Sequence, residues 1–210
     1  MRYIVITLLV VLIADQWLKI HIKTNYALGD EINIIGNWFR FHFTENPGMA
    51  FGWDLGGSAG KILLTLFRLV ASGIIVYYLR SLIKEGAKLS LIFLVSLVLA
   101  GALGNILDSL FYGIIFNAST YHSVATFMPE SGGYAPILMG KVVDMLYFPV
   151  LDTFWPDWVP FIGGNRLQFF RPVFNIADAA ISIGVAIIIA FRKGLFAHLE
   201  LEEDTTEQDN

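Results

Sequence analysis

Asp144 and Asp178 are the residues of this chain best suited to chemistry. Each lies in or beside apolar sequence, Val142-Val143-Asp144-Met145-Leu146 and Phe174-Asn175-Ile176-Ala177-Asp178. An ionised carboxylate is costly in hydrocarbon, so acids in such a setting face a partner or a wet cavity. Two carboxylates that share a proton can act together as a general base and a general acid. Their mutual repulsion raises one pKa and leaves the other low, so one is a base for water and its partner an acid. The sequence does not say which Asp is which. Other polar groups recur at helical spacing. Asn105/Asp108 and Asn175/Asp178 are i,i+3 pairs and Asp15/Lys19 is an i,i+4 pair, so each projects from one side of its helix.

Every one of these residues also has a structural reading. Asp178 suits a helix N-terminus, where the macrodipole favours a negative charge, and Asp144 alone reads equally well as an ordinary loop acid. For Asp15 and Lys19 the favoured reading is an ion pair that helps helices dock. Asn105 and Asp108 serve either as interhelical glue or as substrate ligands, and both remain open. Asp152 and Asp157 read as solvated. His122-Ser123 has no third partner for a triad.

The elements that must position these groups are membrane helices. The 210 residues are 56% hydrophobic and 15% charged, with a mean hydropathy of +0.63, too apolar for a soluble domain of this size. Cysteine is absent, which removes disulfides and thiolate chemistry, and the four histidines lack metal-ligand spacing. Neither a metal nor an organic cofactor is expected. No basic patch points to nucleic acid. The net charge of −4 is set by six acids in 200–209, so residues 199–210 read as a disordered tail after one folded domain, 1–198.

Four stretches approach the roughly 20 apolar residues that a spanning helix needs, at about 3–20, 62–79, 89–107 and 173–191. The first lacks a small-X-small cleavage site and reads as a retained span. Arg2, the cluster Arg80, Lys84 and Lys88, and the pair Arg192 and Lys193 put both termini in the cytoplasm. Loops 23–61 and 108–171 then lie outside, and all the polar pairs emerge at that face. The expected fold is an all-α membrane protein of four transmembrane helices, with a small β-sheet and a long interfacial loop on the outer side. The sheet is expected around Gly36-Asn37, where Phe39, Phe41 and Phe43 alternate with Arg40, His42 and Thr44. The aromatic loop 108–171 suits the headgroup level, and the stretch holding Asp144, too short to span, is expected to dip back to the pocket.

Five blocks together resemble a known family. Asp15-Gln-Trp-Leu-Lys19, Thr44-Glu-Asn-Pro-Gly-Met-Ala-Phe-Gly52, Gly101-Ala-Leu-Gly-Asn-Ile-Leu-Asp108, Val142-Val-Asp144 and Phe174-Asn-Ile-Ala-Asp178 occur in order over nearly the whole chain. They resemble the bacterial lipoprotein signal peptidases (signal peptidase II). The resemblance implies an intramembrane aspartic endopeptidase of the bacterial inner membrane. It would cleave diacylglyceryl-modified prolipoproteins just before the lipidated cysteine, act as a monomer among membrane lipids and bind globomycin-type inhibitors. Carried over, the catalytic pair is Asp144 and Asp178. Asn46, Gly48, Asn105, Asp108 and Asn175 match positions that shape the pocket or bind the substrate backbone, and Asp15 and Lys19 give structural support. Two departures stand out. Ser109 replaces the Arg usual after the third-helix Asp, and the sequence flanking Asp144 is expanded at 111–140 and 147–171. Arg68, charged and within the second span, is expected to pair with Asp108 or Asp15 and so replace part of that missing Arg. The competing class is a small transporter or proton relay. Against it, the polar groups sit at one side and no inverted repeat is present.

Overall fold

The computed structural model describes residues 2–47, 57–149, 151–169 and 172–197. Long helices dominate it: α1 (Arg2–Asn25), α2 (Gly57–Lys84), α3 (Leu89–Leu107) and α5 (Ile176–Ala190). α3 runs through a π-helical turn, Asp108–Tyr112, into the short α4 (Gly113–Ile115). Three helices, Arg2–Asn25, Gly57–Lys84 and Leu89–Ile115, are long and apolar enough to cross a membrane, and α5 is apolar but shorter. Val10, Ile13 and Trp17 on α1 and Leu63, Phe67 and Val70 on α2 are exposed. Apolar surface of this extent on two helices suits contact with lipid.

α3 packs chiefly against α5 and α1, and small residues let it come close. A Cβ at Gly101 would collide with the Ala177 carbonyl, and one at Gly104 would stand 2.8 Å from Asp15 Oδ2 and 3.0 Å from Ala177 Cβ. Close backbone approach of this kind lets membrane helices associate where the hydrophobic effect gives no help. At the opposite end, Leu79, Leu82, Leu91, Leu94 and Leu99 form a core between α2 and α3. The turn between those helices ends α2 at Gly86, whose φ of +65° is the left-handed conformation glycine adopts without strain.

A four-stranded antiparallel sheet, ordered β1 (Glu31–Ile35), β2 (Phe39–Asn46), β3 (Val142–Tyr147) and β6 (Val173–Phe174), adjoins the ends of the helices. The hairpin expected around Gly36-Asn37 is present, with Ile32 opposite Phe41. β3 pairs with β2, with Thr44 opposite Asp144, and with β6, with Leu146 opposite Phe174. Phe43, Val143 and Met145 join Leu18, Ile22, Tyr112 and Phe116 in a core between sheet and helices. Between β3 and β6 a separate hairpin, β4 (Leu151–Phe154) with β5 (Arg166–Phe169), carries exposed Trp158 and Phe161 at its tip.

The structure corrects several expectations. The stretch 173–191 is not helical from its start, because Val173 and Phe174 pair with β3 and the helix begins at Ile176. The third helix does not end at 107 but continues to Ile115, taking in the first part of the supposed loop. Asp144 is not in a loop. It sits in a strand buried on both faces, because β2 and β6 satisfy its backbone while the helix ends cover its side chains. The acidic tail lies outside the described residues.

Candidate active site

The site is assembled from α1, α3, α5 and β3. Asn175 precedes α5 as its N-cap, its side-chain oxygen accepting from the Asp178 N–H at 2.8 Å. That contact fixes the first turn of α5, on which Asp178 rides half-buried. The same amide of Asn175 turns its Nδ2 towards β3 and donates to Asp144 Oδ1 at 2.7 Å. It also approaches Val143 O at 3.3 Å and Asn105 Oδ1 at 3.1 Å. Asn105, from α3, donates through its own Nδ2 to Asp178 Oδ1 at 2.7 Å. Each catalytic candidate is therefore held at one oxygen by an asparagine, and the two asparagines bond each other. Among the described residues, neither second carboxylate oxygen has a hydrogen bond, which leaves both for water or substrate.

Asp144 is 5% exposed. Burial, and next the charge of Asp178, push its carboxyl up to about 8. At neutral pH Asp144 thus keeps its proton. The cause is physical: a strand covered on both faces removes water from the carboxylate, and the Asp178 charge disfavours a second negative charge.

Beneath the pair lies a saturated ionic cluster. Lys19, wholly buried, reaches Asp15 Oδ2 at 2.8 Å, Asp108 Oδ2 at 2.9 Å and Asn105 Oδ1 at 3.0 Å. Asp15 also accepts from the Ala177 N–H at 2.8 Å, tying α1 to the first turn of α5. Asp108 accepts from Gln16 Nε2 at 2.9 Å and from the Val143 N–H at 3.2 Å, tying α3 to β3. The expected Asp15–Lys19 pair is present. Asp108, expected to bind substrate or to hold helices together, is 0% exposed, and both its oxygens accept from protein groups. Asn175 is likewise fully buried and Asn105 nearly so. Asn46 ends β2 opposite Val142, beside the site, and Gly48 lies outside the described residues. Arg68 is also corrected. Among the described residues it pairs with neither Asp108 nor Asp15, because its Nη1 donates instead to Ser109 Oγ at 3.2 Å.

A second network, missed in the sequence, stands behind β2 and β3. Lys23 pairs with Glu45 and donates to Ser119 Oγ at 2.9 Å, between the Phe116 and Tyr134 rings at 5.4 and 5.1 Å. Lys141 reaches Glu45 from the other side at 3.1 Å. Burial alone would raise the Glu45 carboxyl, yet Lys23, Ser119 and Lys141 together hold it below its ordinary value. The network fastens the inserted segment to the two strands. Lys23 carries a legible signal, since it continues the Asp15, Lys19 face at i,i+4. Gln16 and Tyr112, which bond each other at 3.1 Å, give no such signal.

The sequence and the fold of the chain match known proteins. Residues 7–192 match the model of the Signal peptidase (SPase) II family. The chain belongs to the signal peptidase II family. It is accordingly a protease of an aspartic peptidase family, with apolar helices of membrane-crossing length. A lipoprotein signal peptidase of Porphyromonas gingivalis is 45% identical over 183 residues, covering 87% of this chain and 79% of that one. One of Amoebophilus asiaticus is 38% identical over 202 residues, covering 95% and 81%. Among solved structures, a bacterial membrane enzyme determined by the in meso method at 2.3 Å is similar with a TM-score of 0.58 and 26% identity, covering 90% of this chain and 87% of that one. A second, at 1.9 Å, is similar with a TM-score of 0.56 and 25% identity, covering 89% and 90%. Membership of the family supports cleavage of lipoprotein signal peptides, and prolipoproteins as substrates.

Proposed function

We propose that the chain is an intramembrane aspartic endopeptidase that cleaves diacylglyceryl-modified prolipoproteins before the lipidated cysteine, with Asp144 and Asp178 as its catalytic pair. One observation carries this reading: each carboxylate is fixed at one oxygen by an asparagine, with its other oxygen left without a protein donor among the described residues. Asp178, half-buried, is the base that takes a proton from water. Asp144, buried and protonated, is the acid that hydrogen-bonds the carbonyl oxygen as it becomes an oxyanion. Water supplies a hydroxyl to the acyl carbon, the leaving nitrogen receives a proton from the pair, and the pair ends with the single proton it began with. No metal or cofactor enters.

The four helices span the bacterial inner membrane with both termini in the cytoplasm. Three are of crossing length, and α5 is apolar and followed by Arg192 and Lys193. The sheet and the β4–β5 hairpin then lie at the outer face, with Trp158 and Phe161 at headgroup level. The substrate's acyl chains stay in the bilayer while its peptide reaches the pair. A proton relay or transporter is disfavoured, since the polar cluster gathers at one end and is closed by Lys19.

The test is cleavage of a diacylglyceryl-modified prolipoprotein by purified wild type, Asp144→Asn and Asp178→Asn in detergent. Cleavage before the lipidated cysteine by wild type alone supports the reading. Normal cleavage by either folded variant sinks the assignment.

A further inference from the structure

The catalytic reading leaves the opposite end of the helices unused. There α1 and α3 begin and α2 and α5 end, and the described residues carry Arg2, Arg80, Lys84, Lys88, Arg192 and Lys193 against one acid, Glu85. After α5 the chain turns at Phe191 and is helical again over 192–197. Leu195 enters the core between α2 and α3, Phe196 packs against that core, and Lys88 Nζ donates to the Gly194 carbonyl. This return holds Arg192 and Lys193, both exposed, at the end of a cleft between the start of α3 and the end of α5. The cleft has a volume of about 750 Å³, within the range of ligand pockets, and Phe93, Leu94, Ile187 and Ile189 form its apolar walls. A smaller cavity of about 280 Å³, lined by Tyr3, Ile4, Leu89 and Ile92, shares Ser90 and Phe93 with it. Among the described residues neither Arg192 nor Lys193 has an ion pair or a side-chain hydrogen bond.

Such a cleft asks for a molecule with two unlike ends. Its walls are satisfied by hydrocarbon and its two cations by an anion; arginine grips phosphate as a fork and lysine as a point charge. A zwitterionic lipid would bring its own ammonium against the two cations. The acidic segment 200–209 has the right charge, but Leu201 is its one apolar residue, too little to cover the walls. We infer that this cleft is a binding site for an anionic phospholipid, with the phosphate on Arg192 and Lys193 and the acyl chains along the two cavities. Basic pockets at the cytoplasmic ends of membrane helices recognise headgroups of this kind. The inference rests on the reading that the helices cross the membrane with this end in the cytoplasm.

The test counts lipid retained by the purified full chain in detergent, by native mass spectrometry. Wild type, Arg192→Gln/Lys193→Gln and Ala190→Phe are titrated with dioleoyl phosphatidylglycerol, dioleoyl phosphatidylcholine and inorganic phosphate, and the lipid-free unfolding temperature checks folding. Wild type should saturate with phosphatidylglycerol at a roughly ten- to thirty-fold lower concentration than with phosphatidylcholine, the weight of two basic side chains beside an anionic headgroup. The charge variant should lose that preference. Ala190 lines the cleft, so Ala190→Phe keeps both charges but fills the space, and should weaken both lipids. Equal retention of the two lipids by wild type overturns the inference, as does a folded charge variant that keeps the preference. Inorganic phosphate that displaces phosphatidylglycerol, while Ala190→Phe binds lipid as wild type does, marks a bare anion site and also overturns it. Lipid bound only after the six tail acids are changed to their amides assigns the cleft to the tail instead. Orientation is read separately. The chain has no cysteine, so Lys193→Cys in bacterial spheroplasts should react with a membrane-impermeant maleimide only after permeabilisation. Labelling in intact spheroplasts sinks the cytoplasmic reading and leaves the detergent result to judge the cleft alone.

Discussion

Four carboxylates converge at one end of the helices and are held in two ways. Asp15 and Asp108 share the Lys19 ammonium, and each adds a backbone N–H from another element, Ala177 for the first and Val143 for the second. Asp144 and Asp178 meet side-chain amides at one oxygen each, and among the described residues neither lies within 4.0 Å of a Lys or Arg nitrogen. A lysine in contact pins a carboxylate in its ionised form. An amide fixes its position and leaves the proton free to move. On the proposed reading, the same side-chain type becomes a brace or a working acid according to the partner it is given.

The comparison predicts opposite phenotypes. Asp144→Asn and Asp178→Asn should each lower cleavage by about 10²–10⁴-fold, the usual weight of acid–base catalysis, with an unfolding temperature equal to or above that of wild type. Lys19→Met should do the reverse. It leaves two buried carboxylates without their cation, a loss of about 3–5 kcal/mol for a broken buried pair, seen as a large fall in unfolding temperature or as loss of folded protein from detergent extracts. A Lys19→Met protein with wild-type stability would erase the distinction between the two kinds of acid.

Smaller effects sharpen it. Asn175→Ala removes a helix cap worth about 1 kcal/mol and frees Asp144 to move, so kcat should fall more than stability, as paired kinetic and unfolding measurements would show. The pH profile offers the mildest test. Asp144 holds its proton up to about 8, so the acid form the mechanism needs is present below that value and lost as pH rises through it. kcat should therefore decline on an alkaline limb near pH 8, and Asp144→Asn should have no such limb in any residual activity. The limb belongs to the coupled pair and reports its shared proton.

Much of this was legible in the sequence because membrane burial makes polar residues conspicuous. Asp15, Lys19, Asn105, Asp108, Asn175 and Asp178 stand out against hydrocarbon, and their helical spacing already assigns each pair to one face. The β1–β2 hairpin was legible from its alternation. β3 and β6 were not. Val142–Tyr147 is buried on both faces and so shows no alternation, and Val173–Phe174 reads as the start of an apolar helix until its pairing with β3 is known. Arg68 shows the limit most clearly. Its charge demanded a partner, but two carboxylates and a serine were all within the reach of a long side chain, and the choice depends on how α2 is rotated against α3.

The pairing of β3 with β6 has a consequence for how such a molecule can change. Leu146 and Phe174 are neighbours across two strands, although 27 residues, the β4–β5 hairpin among them, separate them in the chain. The two strands close that excursion at its base, so its length is hidden from the acids that lie just beyond, Asp144 on one strand and Asp178 one helical turn after the other. Since the entropy of closing a loop grows only with the logarithm of its length, the excursion is a place where sequence can be gained, trimmed or exchanged at small energetic cost. The acids and the hairpin surface are thereby free to vary independently.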